Sequence, residues 1–292
     1  MANTTTETLT VDGVVLNTYA KNIESLTGRL RTPPMRTGNI IVPGRHGSLR
    51  PATRLYGENV ISLPMWVRGC DDDGLVPTTK RREFYKNVDA LTQLFGYHKS
   101  RLDIRHTLPD GSVRQAFGEV LDVIDMSVDD AVNDPVGKFI VTLQMNEPFW
   151  QDISDVTQTI TGTPGGTTSL ANFAGATAPM DELVIRFTGP INNPTITAVY
   201  DSGVISSIYA TYQANLASGA WVEFNTSTFE WTTGGGAAAF NYANWAHSGG
   251  GRLFTLFPGK SAGTPQIHWA GGGSPTGVTA LKLTGRRKYL VG

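Results

Sequence analysis

The stretch Glu182-Leu183-Val184-Ile185-Arg186-Phe187 decides the fold class. Leu183, Ile185 and Phe187 alternate with Glu182, Val184 and Arg186, the period of two expected of a strand with one buried face. The pattern recurs towards the C-terminus. Ile196, Ala198 and Tyr200 alternate with Thr195, Thr197 and Val199. Trp221-Val222-Glu223-Phe224 and Phe229-Glu230-Trp231 flank Asn225-Thr226-Ser227-Thr228, which reads as a four-residue hairpin loop. Residues 253–257, 266–269 and 278–283 complete the set, with loop tips at 234–239, 249–251 and 271–273. Short strands joined by Gly-rich turns predict a β-sandwich or barrel over 181–292. No solenoid-type repeat is present.

Upstream, 153–180 is rich in Thr, Gly, Ser and Ala, with Thr163-Pro164-Gly165-Gly166-Thr167-Thr168-Ser169 in the middle. It reads as too polar to build a core, and therefore as a linker or the first edge strand of the second domain. Residues 1–152 form the expected first domain. Thr8–Val11, Asp12-Gly13 and Val14–Leu16 read as strand, tight turn, strand, because Asp-Gly supplies the positive φ of a two-residue hairpin. Ile40-Ile41-Val42 runs into Pro43-Gly44-Arg45-His46-Gly47, a loop bounded by glycines. Residues 60–67 form a strand in which Pro64 predicts an edge position or a bulge. One segment is helical: Thr79 is the N-cap, Glu83 follows, and Phe84, Val88, Leu91 and Leu94/Phe95 form one apolar face before Gly96. Pro109-Asp110-Gly111 turns between two extended runs, and 137–145 closes the domain as a strand leading into Pro148-Phe149-Trp150. The class is therefore mainly β with one helix.

The length of 292 residues favours two domains over one. Charged residues make up only 17%, which suits surfaces that become buried in an assembly. A net charge of −1 gives no long-range field towards nucleic acid or an anionic membrane. Cys70 is the single cysteine, so an intramolecular disulfide and a thiolate metal cluster are excluded, and folding in a reducing cytoplasm is expected. No signal peptide is expected from residues 1–7, and no apolar stretch approaches the ~20 residues of a membrane span.

Catalytic signatures fail in turn. There is no H-E-x-x-H, Walker loop or G-x-G-x-x-G. Cys70 precedes Asp71-Asp72-Asp73, whose charge would raise a thiol pKa and blunt a nucleophile. Asp71-Asp72-Asp73-Gly74 lacks the alternating spacing and closing Glu of a Ca²⁺ loop. His98 and His106 do not stand at a ligand spacing. Asp122, Asp125, Asp129, Asp130 and Asp134 read as a solvated acidic region. No metal, no cofactor and no enzyme activity are expected. Trp221, Trp231, Trp245 and Trp269 are candidate carbohydrate contacts, against the blander reading of aromatic core.

The order of these elements resembles the distal tail proteins of siphophages. Val42-Pro43-Gly44-Arg45-His46-Gly47 is similar to the glycine-bounded loop of that family's first domain, with Gly44, Arg45 and Gly47 as its structural residues. Residues 143–150 resemble the strand and Pro-aromatic-aromatic signal that ends it. Asn172–Pro179, Gly189–Pro194 and Leu256–Gly259 resemble strands of the second domain. The chain departs at His46, where an acidic residue is expected, and in the lengthened Gly/Ala loop around 234–251. The resemblance implies a tail-tube-like first domain closing into a homo-hexameric ring, and a galectin-like or carbohydrate-module-like sandwich after it. Implied partners are further copies of the chain, the tail-tube protein and a tail-tip hub protein. A host-surface glycan is a further candidate partner; sequence-specific nucleic acid and membrane insertion are not implied. The location would be the virion tail tip, after assembly in the host cytoplasm. A carbohydrate-binding module for wall attachment is the alternative.

Overall fold

A computed structural model describes residues 7–24, 32–36, 40–41, 48–49, 55–96, 101–129, 134–200, 203–237, 244–247, 254–259, 263–272 and 279–292. The chain is mainly β, with one α-helix among the described residues. It divides into two compact units, Met1–Gln151 with Leu290–Gly292, and Asp152–Tyr289. The first boundary falls one residue before the expected 152, and the last three residues return to the first unit.

In the first unit, β1 (Thr8–Val11) and β2 (Val14–Val15) form the expected hairpin, with Asp12 at φ 48° and Gly13 at φ 80°. Then follow β3 (Lys21–Ile23), β4 (Met35–Arg36), β5 (Ile40–Ile41), β6 (Ser48–Leu49) and β7 (Leu55–Tyr56). The longer elements are β8 (Asn59–Arg68), α1 (Lys80–Gly96), β9 (Leu102–Thr107), β10 (Val113–Asp129) and β11 (Val136–Met145). The main sheet runs β2-β1-β9-β10-β11-β8-β3, and its ladders are antiparallel.

The helix forms where the apolar spacing predicts it. Thr79 Oγ1 accepts the Arg82 N–H at 3.3 Å, and the Thr78 hydroxyl donates to Glu83 at 2.8 Å. Phe84, Leu91, Leu94 and Phe95 are buried, and α1 packs against β8 and β10. Gly96 is the last helical residue rather than the residue after it. On β8, Ile61, Leu63, Met65 and Val67 face the core. β8 is flanked by β11 and β3, but β3 pairs only Met65–Val67, so Pro64 occupies a locally free flank of an interior strand, with no bulge. Its carbonyl accepts the N–H of Glu24, just past the end of β3, so the missing proline donor points where the neighbouring strand has stopped.

Residues Trp150–Asp152 form β12, across the point where the units divide. The second unit is a sandwich of two sheets. One runs β13 (Val156–Thr161), β23 (Ala280–Gly285), β15 (Leu183–Thr188), β19 (Trp221–Asn225), β20 (Trp231–Gly234). The other runs β14 (Thr167–Ser169), β22 (Gln266–Gly272), β16 (Ile191–Val199), β17 (Ile205–Tyr212), β21 (Trp245–His247), with β18 (Asn215–Leu216) beside β16. Lys288–Tyr289 forms β24. Ile185, Phe187, Leu281 and Leu283 from the first sheet meet Ile196, Ala210, Ile267 and Trp269 from the second in one core.

The 153–180 segment contributes edge strands β13 and β14, the second of the two readings offered for it. Three expectations change here. The segment is not too polar for the core, because its Leu170, Phe173, Ala176 and Met180 enter it. Its polar residues alternate onto the outer face of those strands, so composition alone hid the few apolar anchors. Phe229 and Glu230 belong to the turn rather than to a strand. Asn225 Oδ1 accepts the N–H groups of Ser227 and Thr228, and Phe229 lies at φ 60°. Within 253–257 the described residues make only an isolated bridge, Leu256 to Met180.

Candidate functional site

The four tryptophans are distributed unequally. Trp269 is a core residue, 3% exposed. Trp231 and Trp245 pack against the core from its rim with the buried Phe224. Phe224 stacks on Trp231 with centroids 4.1 Å apart and 21° between planes. Trp245 meets Trp231 edge-on, at 4.2 Å and 66°. A sugar platform needs coplanar rings with free faces. Here one face of Trp231 is taken by Phe224, and its neighbour stands nearly perpendicular. Trp221 lies apart on the outer face of the β13-β23-β15-β19-β20 sheet, with the Arg186 guanidinium 3.8 Å above its ring. The structure therefore brings Trp231 and Trp245 together, and places Trp221 and Trp269 elsewhere.

In the first unit, the Cys70 thiol contacts the Tyr19 carbonyl at 3.2 Å. Burial pushes its pKa up; Arg68 lowers it, and Asp71, Asp134 and Asp72 raise it further. The direction matches the sequence expectation, but burial is the larger cause. Asp71 Oδ1 accepts the N–H groups of Asp73 and Leu75, so this carboxylate shapes its own turn. Asp72 binds Lys21 Nζ at 2.7 Å. Burial pushes the Asp72 carboxyl up, but hydrogen bonds from Lys21 and Thr18 outweigh it and leave the pKa lowered. Asp134 pairs with Lys80 at 3.2 Å, and Asp122 is exposed on β10. The side chains of Asp125 and Asp129, and residues Asp130, His46 and His98, lie outside the described residues, as do Gly44, Arg45 and Gly47. His106 is buried with Nε2 2.7 Å from Glu7 Oε1. Among the described residues no group of three or more His, Cys, Asp or Glu could hold a metal ion, and no helix is long and apolar enough to cross a membrane.

Two clefts open on the first unit. One, of about 190 Å³, is lined by Arg101, Phe117, Glu119, Asn146 and Glu147, with Arg101 stacked 3.7 Å over Phe117 and 3.6 Å from Glu147. The other, of about 430 Å³, lies between α1 and the β1–β2 hairpin, against Val14, Lys21, Ala90, Leu91 and Leu94. Neither converges polar groups on a point where a bond could be broken.

The sheet edges of the first unit are more informative. β9 accompanies β10 only from Val113 to Gly118. Beyond Gly118, β10 continues to Asp129 along β11, with two register irregularities and Leu121 exposed at the first. The β9 ladder has ended there among the described residues, and β12 is a third partner of β10. The terminal strands β2 and β3 are two and three residues long.

No family model matches the chain, and no curated protein matches it. Among solved structures, it is similar to a chain of the phage P2 baseplate in its activated conformation with Ca, at 8% identity, covering 95% of this chain and 97% of that one, with a TM-score of 0.37. It is likewise similar to a chain of the phage p2 baseplate in its activated conformation with Sr, at 8% identity, over the same shares, with a TM-score of 0.34.

Proposed function

We propose that the chain is a non-catalytic structural component of a phage tail tip, a distal tail protein whose first unit closes into a homo-hexameric ring between the tail tube and the tail-tip hub. The six-fold symmetry and the partners are what the resemblance to distal tail proteins implies. The observation that carries the reading is the flank of β10 beyond Gly118, where the β9 ladder has ended among the described residues. A strand edge without a neighbour presents unpaired N–H and C=O groups, and a chain must cover or blunt them. A heterologous interface between copies covers them and must close into a ring if it is not to polymerise. The low charge suits extensive protein contacts, and a net charge of −1 suits a channel that passes DNA without reading it.

Light scattering of the purified chain, with electron-microscope images of the particles, tests the reading. A mass six times that of the chain with a central hole is expected. A chain that stays monomeric alone and also fails to join purified tail tubes would overturn it. The tryptophan set does not favour the wall-attachment alternative, because Trp269 is core and Trp231 is stacked on Phe224.

A further inference from the structure

The outer face of the β13-β23-β15-β19-β20 sheet carries charges that its packing does not need. Arg186 on β15 and Lys282 on β23 are direct cross-strand partners, half-buried on the face opposite the core residues Ile185, Phe187, Leu281 and Leu283. Like charges directly opposite each other destabilise a sheet. Among the described residues, neither side chain forms an ion pair or a hydrogen bond. Glu223 is the partner of Arg186 on its other flank, and it too makes no ion pair. The guanidinium instead lies on the diagonal neighbour Trp221 at 3.8 Å. That indole is seated across Gly234 on β20, where a Cβ would come 2.5 Å from the ring. Bare backbone beneath Trp221 fixes the ring, and the ring fixes the guanidinium. The result is a held N–H fork without an acceptor, beside a second cation. A local rule broken without structural gain marks a functional position.

We propose that this face binds an acidic polysaccharide, with a sugar carboxylate held by Arg186 and Lys282. A planar carboxylate matches the guanidinium fork with two parallel hydrogen bonds, and a fork already held by stacking loses little freedom on binding. Thr159 lies beside Lys282 and Thr232 beside Glu223, both exposed, so hydroxyl groups flank the cations where sugar hydroxyls would lie. Glu223 accepts from those hydroxyls and repels ligands of dense negative charge, which selects a single carboxylate per sugar. Trp221 is a positioning residue for Arg186 rather than a stacking platform. The site lies within the second unit and does not depend on ring formation.

Calorimetric titration of the full chain with tetragalacturonate tests this, with neutral galactotetraose and poly(glycerol phosphate) as the other arms. Saturable binding of tetragalacturonate that weakens with added salt is expected. Arg186→Ala and Lys282→Ala each weaken it about tenfold or more, the scale of a lost hydrogen bond to a charged group. Trp221→Leu weakens it although it removes no donor, while Glu223→Gln strengthens it. The thermal midpoint of each variant, measured in parallel, shows that it is folded. No binding of tetragalacturonate, binding insensitive to Arg186→Ala and Lys282→Ala, or binding of the phosphate polymer or the neutral sugar in its place would overturn the proposal.

Discussion

Single side chains in the second unit carry clear energetic roles. Thr226 is fully buried, and its hydroxyl accepts the Leu183 N–H at 2.7 Å and lies 2.5 Å from the Asp181 carbonyl. Thr226→Val leaves these backbone groups unpaired in the interior, and urea titration should show a loss of about 1–3 kcal/mol. Lys288 is 5% exposed, with Nζ 2.8 Å from Asp181 and 3.0 Å from Glu182. Burial lowers its pKa, but the two carboxylates outweigh burial and leave it raised. A raised lysine pKa stabilises the fold fully wherever the unfolded lysine is still charged, and the stabilisation is lost as pH climbs through the folded value. Stability should therefore fall on the alkaline side of the ordinary lysine range, and Lys288→Met should flatten that fall in denaturation curves recorded across it. Neither role was legible in the sequence. Thr226 was read only as a loop residue, and the Lys288 partners are 107 and 106 positions away, a juxtaposition that periodicity does not encode.

Among elements, the helix was legible because its signals are local. Phe84, Leu91 and Phe95 repeat at helical spacing, and Thr79 caps the first turn through its own hydroxyl. Thr79→Ala should lower stability by about 1 kcal/mol, read from the denaturation midpoint. Strands were legible where they alternate, as in Leu183–Phe187, and less so where polar residues dominate. β13 reads Val-Thr-Gln-Thr-Ile-Thr, which left linker and edge strand both open, and it pairs residue for residue with β23. The Arg186–Lys282 juxtaposition was hidden for a related reason: each residue alternates correctly in its own strand, and only the register sets them side by side. β10 offers the sharpest test of the proposed ring. Leu121, 57% exposed where its ladder with β11 slips, stands on the stretch that β9 has left. Leu121→Asp should shift scattering mass from the ring towards the monomer while leaving the thermal midpoint nearly unchanged.

For the molecule as a whole, a chain of net charge −1 that forms the proposed ring should not retain duplex DNA. Gel-shift titration at physiological salt should show no complex, and a salt-dependent complex would count against a passive conduit. The last three residues have a wider consequence. Arg114 donates to the Val291 carbonyl at 2.6 Å, and Gly292 lies so close to Trp150 that a Cβ there would come within 2.2 Å of the indole. The first unit therefore needs Leu290–Gly292, which the ribosome makes only after the whole second unit. Its N-terminal portion can collapse early, but it cannot be completed until translation has passed residue 292. For the proposed ring, synthesis order would thus act as a gate: a chain cut before Leu290 lacks the piece that finishes its own first unit.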